Sequence, residues 1–213
     1  MLPRHLRHSL NLGKGFFWFL CKSYTGICRK SKVFVSLQAK SRKKMKTTLF
    51  LTRHGETVDN ANKIMQGQTQ GRLNEVGVLQ AEQLRDELST TAFDVVIASD
   101  LRRSVDTARI LAEPHGLEVL TSPLLRERDW GSFTGRYIPD LKNEVWPDDI
   151  ESLEDLQARA QRFLDYIKSE YGGKRVLAVG HGIINKAILA VYYGKLMRQV
   201  ERMTNCEVRI LEL

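Results

Sequence analysis

Cysteine is scarce in this chain of 213 residues, which holds only Cys21, Cys28 and Cys206. None forms a CxxC pair, and three cysteines cannot close a disulfide framework. A small disulfide-built scaffold is excluded, and a reduced, cytoplasmic setting is the expectation. Long apolar runs are absent as well. The longest candidate, Gly15 to Cys21, is seven residues between two lysines. A membrane-spanning helix needs roughly 18 or more, so no membrane partner is expected. There is no HExxH or similar metal-ligand spacing, and no internal repeat. No metal or cofactor is called for.

Acidic residues are missing from the first part of the chain. Residues 1–46 carry twelve Lys or Arg and no Asp or Glu. The remainder holds 21 basic residues against all 25 acids, a net charge of −4. The overall charge of +8 therefore belongs to the extension. It gives no support for a nucleic-acid partner of the domain that follows. Three readings of residues 1–46 compete: an organelle-targeting segment, a surface-binding arm, and a start-site artefact or disordered tail. The Arg/Lys-rich, acid-poor composition fits targeting, whereas a secretory signal is disfavoured by the short apolar stretch. Met45 stands directly before Lys46-Thr47-Thr48, where a compact domain would naturally begin.

Residues 47–213 form one domain in this reading, long enough for a sizeable core. Strand and helix patterns alternate along it. Thr48–Thr52 is a short apolar strand. Residues 75–90 predict a helix capped by Asn74, with Val76, Leu79, Leu84 and Leu88 on one face. Phe93–Ala98 reads as a buried strand, and a helix follows from about Leu101 to Glu113, stopped by Pro114 and Gly116. Leu117–Thr121 is a candidate strand. Residues 126–150 read as loop. Residues 151–171 carry an apolar stripe of Leu153, Leu156, Ala160, Phe163, Leu164, Ile167 and Tyr171. Arg175–Gly180 predicts a strand, 183–193 a helix and Cys206–Leu213 a last strand. This alternation predicts an α/β fold, a three-layer αβα sandwich around a mostly parallel sheet.

Polar groups then collect beyond the predicted strand ends, where such folds place their sites. Arg53-His54-Gly55 follows the first strand. Ser99-Asp100 and Arg102-Arg103 follow the second, Glu127 the third, and His181-Gly182 the fourth. Two copies of apolar strand, histidine, glycine suit phosphoryl chemistry. Splitting a phosphate monoester needs a nucleophile in line, donors around the equatorial oxygens and an acid for the leaving oxygen. A neutral imidazole is a competent nucleophile at pH 7 and gives a covalent phosphohistidine. Arg53 and Arg103 offer planar forks for phosphate oxygens. The helix N-termini after His54, Asp100 and His181 are expected to add amide donors. Arg102 reads as a surface arginine, Glu56 as an early helix residue and His115 as structural or exposed. Trp130 and Trp146 read either as substrate contacts or as loop tryptophans packed on the core.

The chain resembles the histidine phosphatase superfamily, which includes cofactor-dependent phosphoglycerate mutases and their phosphatase relatives. Arg53-His54-Gly55-Glu56-Thr57 with Asn60 resembles the family signature. Ser99-Asp100-Leu101-Arg102-Arg103 with Thr107-Ala108 resembles its second motif, Leu125-Arg126-Glu127 with Gly131 its third, and Val179-Gly180-His181-Gly182 its last. The resemblance covers about residues 47–213 and implies a phosphoglycerate mutase-like fold. It implies His54 as nucleophile and Arg53, Arg103 and His181 as the phosphate pocket. Glu127 becomes the general acid and base. Asn60, Gln66 and Gly67 are placed on the substrate side, with Thr57 and Gly182 beside them in the motifs. Gln70 and Arg72 replace a common Asp and Pro, and Phe133-Thr134-Gly135 a common Trp-Glu-Gly. These departures are expected at the substrate rim.

The same pocket serves hydrolysis or phosphoryl transfer. A mutase must keep water from its phosphohistidine, and mutases of the family typically carry a longer insertion between the acid and the second histidine. Only 53 residues separate Glu127 from His181. The expectation is a phosphatase acting on small phosphorylated metabolites. A mutase, a phosphatase acting on phosphorylated proteins, and a non-catalytic binding module are the alternatives. The oligomeric state is open, a homodimer included.

Overall fold

The computed structural model describes residues 46–213. The readings placed on residues 1–45, including Cys21 and Cys28, lie outside the described residues. Five strands form one sheet: β1 (Thr48–Arg53), β2 (Val95–Ala98), β3 (Val119–Thr121), β4 (Arg175–Gly180) and β5 (Val208–Glu212). Their spatial order is β3-β2-β4-β1-β5. All neighbours are parallel except β5, which runs antiparallel to β1.

The helices are α1 (Val58–Ala61), α2 (Glu75–Leu88), α3 (Arg102–Ala112), α4 (Leu153–Glu170) and α5 (Gly182–Tyr193). Strand alternation divides the core in two. Leu49 and Leu51 of β1, Ile97 of β2 and Val176 and Ala178 of β4 face α4 and α5. Phe50, Val96, Ala98, Leu177 and Val179 face α2 and α3. A period of two thus feeds both faces, as a sheet covered on both sides requires. The three-layer αβα arrangement expected from the sequence is the architecture found.

The order of strands decides where a site can lie. From β1 the chain leaves toward the face covered by α2 and α3, and from the adjacent β4 toward the face covered by α4 and α5. Helices departing to opposite faces open a crevice beyond the carboxyl ends of the two strands. The register brings those ends level, because Arg53 pairs with Gly180. The His54 amide continues the ladder by donating to the Gly180 carbonyl at 3.1 Å. The two histidines that follow are therefore neighbours.

Several expected elements shift. The apolar face of α2 is only half the predicted one: Leu84 and Leu88 pack on the core as expected. Val76 and Leu79 are exposed (50% and 57%), and Gly77, Ala81 and Leu84 are buried. The cause is a close approach of two backbones. A Cβ on Gly77 would collide with the Glu56 carbonyl, and one on Gly55 with the Gly77 carbonyl. The helix is turned so that its glycine meets the His54 loop. Glu56 is not a helix residue; its carboxylate accepts from Asn74 Nδ2 at 2.6 Å, and its amide donates to Gln80 Oε1 at 2.9 Å. In α4, Leu153 is exposed and Arg159 takes a buried place on the stripe. β2 begins at Val95 rather than Phe93, which packs edge-on against Phe50 and His115, each with centroids 5.0 Å apart.

The segment read as loop holds two 3-10 turns, Gly131–Phe133 and Ile138–Asn143. It is laced to residues 63–65 by backbone bonds. Met65 donates to the Arg136 carbonyl (2.9 Å), Gly135 to that of Met65 (2.7 Å) and Ile138 to that of Lys63 (2.8 Å). Trp130, Phe133 and Leu141 fill the space beneath, so the cap over the strand ends has its own small core.

The Gly77 contact sets a sign. Glycine to alanine within a helix normally stabilises by about 1 kcal/mol. Here Gly77→Ala is expected to destabilise by about 1–3 kcal/mol, the cost of overpacking against a backbone. Urea denaturation checks this, and an unchanged or raised midpoint contradicts the contact.

Candidate active site

A cavity of about 180 Å³ lies at the carboxyl ends of β1 and β4. Arg53, His54, Arg103 and Glu127 line its polar side. Met65, Trp130, Ile138 and Ile183 line its apolar side. His181 is fully buried and does not itself line the cavity, but its ring lies against that of His54, with centroids 5.0 Å apart.

The hydrogen bonds fix the state of each ring. His54 Nδ1 lies 2.6 Å from the Gly55 carbonyl, and a carbonyl only accepts. Nδ1 therefore carries the proton, and in the neutral ring the lone pair belongs to Nε2. At His181 the roles reverse. Arg103 Nε donates to its Nδ1 at 3.2 Å, so Nδ1 accepts and Nε2 bears the hydrogen. That Nε2 is buried and has no protein partner among the described residues. Burial first, then the charge of Arg103, hold both imidazoles well below the usual histidine range. Arg53 presses on both in the same direction. At pH 7 the pair is neutral: one ring offers a lone pair and the other an N–H.

Arg103 is buried on the first turn of α3. Its guanidinium is largely committed to the protein. Nη1 donates to the carbonyls of Thr69 (2.5 Å) and Gln70 (3.4 Å), and Nη2 to that of Gly67 (2.8 Å). With Nε on His181, one of five N–H groups is left. Arg53, the last residue of β1, donates from Nη1 to the Met203 carbonyl at 3.0 Å, and its buried Nε has no protein partner. Burial pushes both guanidinium groups down to about 10, so both stay charged at neutral pH.

Glu127 is buried and held from two directions. Its carboxylate accepts from the amides of Ile183 (3.1 and 3.2 Å) and Ile184 (3.2 Å) at the start of α5, and from Arg128 N (2.8 Å). Its main chain is gripped by Arg159 of α4. That guanidinium donates to the carbonyls of Leu124 (3.1 Å), Arg126 (2.5 Å) and Glu127 (3.4 Å) while paired with Glu151 at 2.7 Å. A loop residue is thereby fixed to a helix.

Of the other residues singled out, Asn60, Gln66 and Gly67 line the cavity. Thr57 and Gly182 do not line it. Thr57 is the fully buried N-cap of α1, its hydroxyl accepting from Asn60 N at 3.0 Å. Gly182 is the first residue of α5, and the Arg202 side chain lies against it. The expected amide donors are also largely spent. α1 is a single turn capped by Thr57, the α5 amides hold Glu127, and Arg102 N at the start of α3 donates to Gln70 Oε1 at 2.9 Å. Gln70 is thus a helix cap rather than a rim residue, supplying the acceptor that Leu101 at the N-cap cannot. Arg72 is likewise away from the cavity, and Phe133 sits in the cap core. Arg102 is exposed and paired with Asp106 at 3.3 Å. Trp130 both packs in the cap and faces the cavity; the exposed Trp146 meets it edge-on, with centroids 5.7 Å apart.

Residues 49–213 match the model of the histidine phosphatase superfamily, branch 1. The chain belongs to the histidine phosphatase superfamily. It is 34% identical over 177 residues to a protein named "Probable phosphoglycerate mutase GpmB" from Enterobacter sp. (strain 638), a match covering 75% of this chain and 82% of that one. Among solved structures it is similar to the mycobacterial glucosyl-3-phosphoglycerate phosphatase, at 26% identity and a TM-score of 0.71, over 78% of this chain and 89% of that one. It is also similar to YhfR of Bacillus stearothermophilus, at 28% identity and a TM-score of 0.71, covering 77% and 90%.

Two residues of this superfamily member escaped sequence reasoning. Arg202 lines the cavity from the segment before β5, and Arg159 anchors the Glu127 loop. Arg159 carried a faint signal as a charged residue interrupting an apolar stripe. Arg202 carried none.

The two depressed histidines make stability depend on pH. In the unfolded chain each titrates near 6.5; in the folded state each resists protonation. The unfolded state binds more protons below that pH, so stability present above about 6.5 is lost as pH falls. The slope is up to about 1.4 kcal/mol per pH unit for each ring. Urea denaturation at pH 7.5, 6.5 and 5.5 is expected to show this fall, reduced in His181→Gln. A flat profile contradicts the neutral pair.

Proposed function

We propose that this protein is a phosphatase that hydrolyses phosphate monoesters of small metabolites through a phosphohistidine on His54. The observation that carries the reading is the complementary pair of neutral imidazoles. His54 keeps a lone pair on Nε2 at a cavity lined by two charged arginines, and the buried His181 beside it keeps an N–H with no partner among the described residues.

In the first step the Nε2 lone pair of His54 attacks phosphorus. The N–P bond forms as the ester P–O bond breaks, and the leaving oxygen takes a proton from the Glu127 carboxyl. The His54 Nδ1–H keeps its bond to the Gly55 carbonyl, which steadies the positive charge that builds on the ring. Arg53, the remaining N–H of Arg103 and the His181 Nε2–H serve the equatorial oxygens, where donors fixed in advance contribute most. In the second step the Glu127 carboxylate takes a proton from water and the water oxygen attacks phosphorus. The N–P bond breaks, and its electron pair returns to Nε2. Monoester and water become alcohol and phosphate. Asn60, Gln66 and Gly67 line the side on which the alcohol portion enters.

Water is the favoured acceptor because the segment between Glu127 and His181 is short. The likeness to a glucosyl-3-phosphoglycerate phosphatase supports that choice. A second reading, transfer to another hydroxyl as in a mutase, is favoured by the name of the 34% identical relative. Action on phosphorylated proteins is a third reading.

A panel of phosphorylated metabolites beside a phosphoprotein should yield inorganic phosphate from the metabolites with no bisphosphate present. His54→Ala is expected to abolish turnover. Glu127→Gln should cost about 10²–10⁴-fold on alkyl phosphates, and much less in the first turnover of p-nitrophenyl phosphate, whose leaving group needs little protonation. Strict dependence on a bisphosphate with negligible hydrolysis sinks the phosphatase reading in favour of the mutase.

A further inference from the structure

Arg202 stands at the same cavity as His54, Arg53 and Arg103, and the roles assigned so far make no use of it. The segment that carries it is pinned to the end of β1. Arg53 donates to the Met203 carbonyl at 3.0 Å, Asn205 Nδ2 donates to the His54 carbonyl at 2.8 Å, and the Cys206 amide donates to the Arg53 carbonyl at 3.0 Å. Met203 itself is buried. Arg202 is thus one residue from a firm anchor.

Its side chain is exposed, yet it turns toward the site. The guanidinium lies against Gly182 so closely that a Cβ there would stand 2.5 Å from Nε and 2.7 Å from Nη2. That is the positive end of the α5 dipole. Arg53 is also near enough for the two like charges to oppose each other, and His54 feels the same charge. Among the described residues Arg202 has no side-chain hydrogen bond and no ion pair. Three arginines share the cavity with one acid, Glu127, and an arriving anion relieves that excess of positive charge.

The donor inventory points the same way. A phosphoryl group is best held by two parallel N–H bonds from one guanidinium. Arg103 cannot supply them, since four of its five N–H groups are engaged. Arg53 has one N–H spent on the Met203 carbonyl, and Arg202 keeps all five among the described residues, so the complete fork is that of Arg202.

We propose that Arg202 is a phosphate-binding residue, placing a parallel pair of N–H donors on the phosphoryl group of the bound monoester at the mouth of the cavity. Arg103 then acts chiefly by its charge, by its last N–H and by setting the His181 tautomer. This assignment rests on the phosphomonoester reading above, but its test does not require turnover.

The test titrates inorganic phosphate into the full-length protein by calorimetry and, separately, measures KM for p-nitrophenyl phosphate. Arg202→Ala is expected to raise both the phosphate Kd and KM by about tenfold, the scale of one charge-assisted hydrogen-bonded pair. Arg202→Lys should recover only part of that loss, since it keeps the charge and not the fork. Arg198→Ala removes a charge from the same exposed segment away from the cavity and should stay within about twofold of wild type. A phosphate Kd within about twofold of wild type in Arg202→Ala overturns the assignment. So does an equal loss in Arg198→Ala, which would mean a long-range charge effect. So does a KM increase confined to esters bearing a second anionic group, which would place Arg202 on the alcohol portion. Phosphate binding without hydrolysis in the wild type would refute the phosphatase reading while leaving the Arg202 comparison decisive.

Discussion

Arg53 pairs with Gly180 across β1 and β4, and the rest of the site depends on that register. Each strand is followed directly by a histidine and a glycine, so level ends bring the two rings to 5.0 Å. A slip of one residue would turn every side chain of one strand to the opposite face and separate them. The register is held by burial on both sides of the sheet. Leu51 and Ala178 face one core, and Phe50 and Leu177 the other. The hydrophobic effect thereby positions groups that are themselves costly to bury.

That cost is visible in the chemistry. Two guanidinium groups and two imidazoles share a region where only Glu127 brings a compensating acid among the cavity-lining residues described. The protein meets this strain by keeping the histidines neutral and by wrapping Arg103 in main-chain carbonyls. What remains is a surplus of positive charge and donors with no protein partner among the described residues, namely the buried Arg53 Nε and His181 Nε2 and the exposed Arg202 fork. A phosphate dianion is complementary to such a set, and burying it there strengthens each contact. Tautomer control adds direction. The same two-residue motif serves two uses because the partner differs: a carbonyl at His54 and a guanidinium at His181.

The motifs at strand ends were legible because strand, polar group and glycine leave a local trace. Arg53, His54 and His181 were named from such traces, Arg103 from its place at a helix start and Glu127 through the family resemblance, and the structure gathers them near the ends of β1 and β4. The facing of α2 was legible at Leu84 and Leu88 but not at Val76 and Leu79, because its first turns are set by the backbone contact between Gly77 and Glu56, residues 21 apart with no shared pattern. Gln70 was placed at the rim through the family resemblance, whereas its side chain completes the start of α3. Arg159 and Arg202 show the same limit. Each acts through tertiary contact alone, and periodicity sees only neighbours three or four positions away.

The central claim is that phosphorus passes through the Nε2 of His54. Rapid quenching of the full-length protein during turnover of a phosphorus-32 labelled monoester tests it most directly. The account predicts an acid-labile, base-stable label on the peptide that contains His54, absent in His54→Ala and longer-lived in Glu127→Gln. Turnover with no label on that peptide, or a label on another residue, would contradict it.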